Sequence, residues 1–415
     1  MPISTINSKS IADGTVVASD ILDGTISSSK LVSANIAGDR IAANTLSNTV
    51  FQTGSVESYM RAQGTSSVFA GMRNRVINGA MVIDQRNVGT AFNNTTSGVY
   101  SADRWKTYGA QAAKFSIQQD SSANTVAGFA NSLKVTSLSS YSLVTSDQFD
   151  VYQLIEGYNV ADLAWGTASA KAITLSFWTR SSLIGTFGGS VRNTAANRSY
   201  PFTYTISSAD TWEYKTITIP GDTTGTWEKT TSTGIILLFG LGTHSGLSGP
   251  AGAWAAANYV SATGATSVVG TNGATWYVTG VQLEAGSTPT PFEYRQYGTE
   301  LQLCQRYYFR NTATTTFGAF SVYAPAVNGT DVYLPIQFPV TMRISPSSLE
   351  TANIQVLDGV TTYTGGTFTI DSVSNSPNYA SVKYAHGSSV FSQYRTYGYR
   401  GNNNAGAYLA FSAEL

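Results

Sequence analysis

"KAITLSFWTR" (Lys171–Arg180) sets Ile173, Leu175 and Phe177 against Thr174, Ser176 and Trp178. Side chains on a strand alternate between the two faces, so this pattern describes a β-strand with one buried face. The same texture recurs on either side, in "FSIQQ" (Phe115–Gln119), "SLKVTSL" (Ser132–Leu138), "WEYKTITI" (Trp212–Ile219), "GIILLFGL" (Gly234–Leu241) and "WYVTGVQLE" (Trp276–Glu284). Clusters of Gly, Asn, Ser and Thr divide these runs, and no sustained helical period interrupts them. The fold class is therefore all-β, with a jelly-roll-like β-sandwich over residues 74–296 closed by Pro289 and Pro291. "YGTELQLCQRYYFRN" (Tyr297–Asn311) reads as a short helix running into a strand. A smaller C-terminal β-domain, 297–415, follows with "DVYLPIQFPVTMRISPS", "GGTFTIDSV", "YASVKYAH" and "AYLAFSAEL". Pro335 and Pro339 lack an amide donor and confine the first of these to a sheet edge or to two neighbouring strands.

Towards the N-terminus the texture changes. Residues 53–73 form a connector with a short helix expected around Glu57–Ala62. In residues 1–52, Ile6, Ile11, Val16, Ile21, Ile26, Leu31, Ile36, Ile41, Leu46 and Phe51 stand five apart without a miss. Five steps turn an α-helix about 140° from its starting face, and an odd period reverses a strand's face at each anchor. A chain that bends at every repeat solves both problems, either as a single-chain pentad-repeat β-coil or as three chains wound together. Asp13-Gly14 and Asp23-Gly24 supply corners. So few repeats bury little alone, which favours self-association and a shaft or docking segment whose core is Ile11, Val16, Ile21, Ile26, Leu31, Ile36, Ile41 and Leu46.

Composition bounds the partners. Of 415 residues only 12% are charged, the formal net charge is +0, and 42% are hydrophobic. Without a basic stripe to neutralise phosphates, nucleic acid is not an expected partner. No apolar run nears the roughly 20 residues of a membrane helix, so no membrane insertion is expected. Cys304 is the only cysteine, so neither disulfides nor a cysteine metal site can form within one chain. "MPISTINSKS" lacks the basic and apolar regions of a signal peptide, so synthesis and folding in a host cytoplasm are expected.

Four blocks in order, "NRVINGAMVIDQRN" (Asn74–Asn87), "YSADRW" (Tyr100–Trp105), "VTGVQLEAGSTPTPFEYRQYGTELQLCQRYY" (Val278–Tyr308) and the closing "AYLAFSAEL", resemble a family of tailed-bacteriophage structural proteins. These are tail fibre or receptor-binding proteins, frequent in phages of cyanobacteria and other aquatic bacteria. Leaders of the "DGTI…SKL" type are similar to segments near the N-terminus of phage fibres. The resemblance implies a carbohydrate-binding-module-like sandwich, a homotrimer, and a virion location with the N-terminal segment contacting other virion proteins. The function expected is adsorption through host surface polysaccharide. The alternatives are a purely structural neck, head or baseplate fibre and a polysaccharide-degrading tailspike.

Candidate sites follow from chemistry. Glycoside hydrolysis needs two carboxylates. Glu156 and Glu284 lie in apolar stretches, where a carboxylate bonded to backbone or Arg is the simpler reading, and Glu293 and Glu300 share the resemblance blocks. His244 and His386 have no evident nucleophile beside them, so the chain is expected not to be an enzyme. No acidic loop of EF-hand type is present, and no cofactor is expected. A jelly roll can hold a structural Ca²⁺ through backbone carbonyls, which a sequence does not display. Sugars offer apolar C–H faces ringed by hydroxyls, and bind aromatic platforms edged by polar groups. "GPAGAWAAANYVSATG" (Gly249–Gly264) carries Trp254 and Tyr259, with Trp254 also readable as a packing residue under its loop. "FSQYRTYGYRGNNN" (Phe391–Asn404) carries Tyr394, Arg395, Tyr397, Tyr399 and Arg400, with Tyr397 and Tyr399 on one strand face.

Overall fold

Period-two runs of large apolar residues need a second layer to bury their apolar face, and in a chain with almost no helix that layer is another sheet. The computed structural model describes residues 72–122, 125–321 and 323–415. The connector up to residue 71 and the pentad positions Ile11 to Leu46 lie outside the described residues.

Thirteen strands lie in the sandwich region. In chain order they are β1 (Phe92–Asn93), β2 (Trp105–Gly109), β3 (Phe115–Asp120), β4 (Ser132–Ser137), β5 (Gln148–Glu156), β6 (Ile173–Ser181) and β7 (Gly185–Arg192). Then come β8 (Ser199–Ile206), β9 (Glu213–Ile219), β10 (Thr233–Thr243), β11 (Ser248–Gly249), β12 (Ser261–Ala262) and β13 (Thr275–Ala285). One sheet has the order β1-β3-β4-β13-β6-β9 and the other β2-β5-β10-β7-β8. Their facing sides form one core around Phe239, whose ring meets Phe177 at 5.0 Å, Trp276 at 5.6 Å and Trp105 at 6.3 Å. The indole N–H of Trp276 donates to the Tyr204 hydroxyl at 3.0 Å, so even this interior polar pair is closed.

A bulge in β13 departs from simple alternation. Trp276 and Val278 point inward, the register against β6 shifts between Thr279 and Gln282, and Val281 and Leu283 then take the inward positions. Gly280 at φ +61° makes this turn, with Phe129 packed where a side chain would stand. The shift turns Gln282 and Glu284 to the outside of the sheet.

That outside is not solvent. Thr174 and Ser176 are buried as fully as Ile173, which corrects the one-faced reading of "KAITLSFWTR". Segments 73–79 and 286–295 cover the sheet through polar bonds. Asn74 donates to the Val281 carbonyl and accepts from the Leu283 amide, while Glu293 accepts from the amides of Arg73 and Asn74. Glu284 accepts from Gln282 and from both the amide and hydroxyl of Thr290.

Helix α1 (Tyr297–Gln305) runs into β14 (Tyr308–Thr312), as the sequence predicts. Nine more strands complete the C-terminal region: β15 (Ala324–Pro325), β16 (Asp331–Gln337), β17 (Ser348–Ala352), β18 (Ile354–Leu357), β19 (Thr362–Tyr363), β20 (Thr367–Asn375), β21 (Tyr379–Ala385), β22 (Thr396–Gly401) and β23 (Tyr408–Ser412). They pair as β14-β23-β17, β15-β22-β18-β19 and β16-β21-β20 around a second core. Pro335 sits in β16, an edge strand of its three-stranded sheet, paired with β21 and touching Ala326 through one bridge at Val332.

The resemblance blocks converge where the two cores meet. Asn78 bridges the carbonyls of Ile83 and Asp103, and the Trp105 indole donates to the Asn78 carbonyl. Arg104 pairs with Glu414 and lies 3.6 Å from the Tyr307 ring centroid. Arg343 reaches from the C-terminal region to the carbonyls of Thr231, Ala413 and Glu414.

Candidate functional site

Strand β5 reads "QFDVYQLIE": Phe149, Val151 and Ile155 enter the core, so Asp150, Tyr152 and Leu154 face outward. Pairing sets Tyr108 of β2 beside Asp150, Leu238 of β10 beside Tyr152, and Ile236 beside both Leu154 and Arg192 of β7. Gly240 stands opposite Asp150, and Ser261 packs where its side chain would stand.

A loop closes one side. Trp254, half-buried, donates its indole N–H to the Pro220 carbonyl at 2.7 Å and meets Trp165, Trp227 and Tyr200 edge-on. Tyr259 lays its ring against Gly249, where any Cβ would collide with it, and its amide donates to Ser199 Oγ at 3.1 Å. Between these anchors the chain delivers Asn258, which accepts from Arg192, and just beyond them Val260, which packs on Ile236 and Leu238. The result is a 400 Å³ cleft lined by Tyr108, Gln148, Asp150, Tyr152, Arg192 and Asn258 over an apolar floor.

Its electrostatics are unusual for a folded interior. Asp150 is fully buried, and neither carboxylate oxygen has a hydrogen-bond partner. Burial pushes its carboxyl up to about 7 against the opposing pull of Arg192. Burial also raises the Tyr152 phenol, with Asp150 adding to the effect, and lowers the Arg192 guanidinium. The Nε of Arg192 is likewise without a partner.

The sequence candidates separate on this geometry. Trp254 and Tyr259 hold the loop that builds the cleft rather than line it. Tyr397 and Tyr399, read as platform residues, are each 1% exposed and belong to the C-terminal core. The Tyr399 hydroxyl lies 2.9 Å from the Val382 carbonyl, and that of Tyr397 accepts from the Ser392 amide. They do share a face, as alternation requires, but it is the covered one. Their neighbours point out: Tyr394 is 77% exposed, Arg395 pairs with Asp358, and Arg400 lies over Phe317 at 4.9 Å. Glu156 accepts from Arg306 twice, at 2.6 and 3.0 Å, and from the Tyr307 hydroxyl at 2.6 Å. His244 and His386 accept from backbone amides two residues on, at Gly246 and Ser388. Among the described residues no three His, Cys, Asp or Glu side chains are grouped to hold a metal, and no helix is long and apolar enough to cross a membrane.

Sequence reasoning missed the cleft. Its available signal was the alternation in Gln148–Glu156, where Asp and Tyr interleave with Phe and Val.

No family model and no curated protein matches the chain. Among solved structures, it is similar to the enzymatically active domain of tailspike protein 4 from bacteriophage CBA120, with 11% identity, TM-score 0.27, and coverage of 52% of this chain and 22% of the tailspike. It is also similar to the TmCBM61 module solved with β-1,4-galactotriose, with 10% identity, TM-score 0.24, and coverage of 44% of this chain and 88% of that module. A family 11 carbohydrate-binding module from Clostridium thermocellum gives 15% identity and TM-score 0.23 over 51% of this chain and 99% of the module. Likeness at these scores carries no inference about ligand or role.

Proposed function

We propose that the protein is a non-enzymatic, homotrimeric virion fibre that adsorbs to host cell-surface polysaccharide, holding a sugar chain in the cleft above the five-stranded sheet. The observation that carries this reading is the cleft itself. Half-buried Tyr108 and Tyr152 offer aromatic rings to sugar C–H groups, and half-buried Arg192, Gln148 and Asn258 offer donors and acceptors for hydroxyls. A neutral chain suits an uncharged polymer. The cleft lining contains one carboxylate where glycoside hydrolysis uses two, which favours binding over cleavage. The N-terminal pentads supply the shaft and the contact with other virion proteins, and three shallow sites on one trimer add up to avidity.

The test is retention of the full chain on immobilised neutral polysaccharide, with sedimentation giving its mass. Retention that Tyr152→Ala reduces tenfold or more, by a particle of three chains, is the expected outcome. Retention indifferent to that substitution removes the cleft from the reading. A monomer removes the trimeric fibre, and release of reducing ends replaces the adhesin with an enzyme.

A further inference from the structure

We infer that the outer face of the sheet β15-β22-β18-β19 carries a second saccharide site, made by Phe317, Tyr323 and Arg400, which takes an acidic sugar by its carboxylate and one face of its ring. The site stands apart from the cleft, and either can fail without the other.

Strand β22 alternates strictly: Tyr397 and Tyr399 enter the C-terminal core, so Gly398 and Arg400 face outward. Gly398 leaves its side-chain space to Tyr323. Three carbons of that ring stand 3.1–3.2 Å from where a Cβ would be, and such even distances mean that the ring lies over the strand rather than pointing at it. With one face against backbone, Tyr323 is still 50% exposed, so its other face meets solvent. Two residues on, about 7 Å along the strand, the Arg400 guanidinium lies 4.9 Å from the ring centroid of Phe317, which is 49% exposed. The amides of Phe320 and Gly401 donate to the carbonyls of Tyr399 and Gly318, each at 2.9 Å, and tie the Phe317 loop to β22.

Charge identifies the ligand. Arg395 is already paired with Asp358 at 2.9 Å, whereas Arg400 forms no ion pair among the described residues. Its polar partner is the buried Gln355, directly opposite on β18. With the Gln355 amide nitrogen donating to Asn402, its oxygen accepts from Arg400 Nε at 2.9 Å and Nη2 at 3.3 Å. Gln355 thus fixes the guanidinium plane from the side without neutralising it, and leaves the end bearing the two Nη atoms for an outside acceptor. Arg400 is half-buried, not enclosed. A carboxylate matches that end with paired hydrogen bonds, and an apolar C–H face suits the exposed rings. One hexuronate brings both within the spacing of Gly398 and Arg400. A neutral pyranose leaves the charge unanswered, and an acidic peptide lacks the flat apolar face.

The experiment is calorimetric titration of the full chain, at low ionic strength, with oligogalacturonate, oligomannuronate and the methyl ester of each. The ester keeps the ring and removes the charge. At least one acid should bind, at least tenfold more tightly than its ester. Arg400→Gln should abolish that preference, and Tyr323→Ala should weaken the acid at least fivefold. Gly398→Ala should weaken it too, because the new Cβ displaces the Tyr323 ring while every contacting side chain remains. Thermal unfolding checks that each variant is folded; if Arg400→Gln is not, Arg400→Lys, which keeps a charge but loses the fork, should bind the acid at least threefold more weakly. The acid–ester comparison on the unaltered chain needs no variant. Failure of both acids to bind, an ester binding as well as its acid, affinity unchanged by both Arg400→Gln and Tyr323→Ala, or oligoglutamate binding as tightly as the uronate would each overturn the proposal. Uronate binding lost in Tyr152→Ala but kept in the Arg400 and Tyr323 variants would move the anion to the cleft, overturning this site and leaving the cleft standing.

Discussion

Strand β5 carries two buried carboxylates on one face, six residues apart, in opposite surroundings. Glu156, at the end nearer the junction, is clamped by a guanidinium and a phenol from the segment after α1. Asp150, at the cleft end, is equally dry and has no partner. Desolvation is common to both, so their difference lies wholly in compensation. A closed set of bonds makes Glu156 part of the joint between two β-regions, whereas Asp150 is left unpaired under the cleft, a cost the fold carries there.

Breaking the joint should have the largest effect. Glu156→Ala strands Arg306 and the Tyr307 hydroxyl, and should cost about 3–5 kcal/mol of stability in urea unfolding. A loss under 1 kcal/mol would place Glu156 and Asp150 in the same class.

The cleft carboxylate sharpens the comparison through pH. Its folded-state value of about 7 lies above the unfolded 3.8, so the unfolded chain releases this proton first on alkalisation. The folded state binds more protons between those values. Stability therefore falls as pH rises from about 4 to about 7, by up to about 4 kcal/mol from this group, and levels off above. Asp150→Asn should remove that slope, measured as the difference between the two proteins' unfolding free energies across the window. A difference independent of pH would show that Asp150 titrates normally.

Tyrosines give a smaller version. Tyr399→Phe should cost about 1–2 kcal/mol, because a buried carbonyl loses its donor, without altering glycan affinity. Tyr152→Ala should act the other way, with a tenfold or greater loss of affinity and a more modest change in stability. Interchanged outcomes would exchange the roles of core and cleft. The least effect belongs to Tyr394→Ala, which should shift stability by no more than about 0.5 kcal/mol, as its exposure implies.

How far these features were legible depends on how local their causes are. The alternation of Ile173, Leu175 and Phe177 gave the strand but not the burial of Thr174 and Ser176, because the covering segments come from residues 73–79 and 286–295. Gly249–Gly264 drew attention through Trp254 and Tyr259, and its contribution to the cleft is Asn258, placed by those two anchors. The partners of Glu156 lie 150 residues away, beyond any spacing argument.

By itself, the order of residues determined an all-β chain and the helix-to-strand passage near residue 305, and it narrowed Pro335 to a sheet edge or a break between strands, since periodicity, turn chemistry and a missing amide donor act over a few neighbours. Tertiary structure alone decided which face of each strand meets solvent, core or cleft. Alternation puts Tyr397 and Tyr399 on one side, and only the packing of other strands makes that side the interior. The cleft is of the same kind: Tyr108, Asp150, Arg192 and Asn258 become neighbours through strand pairing and one anchored loop, and burial without a partner is a property of that assembled space.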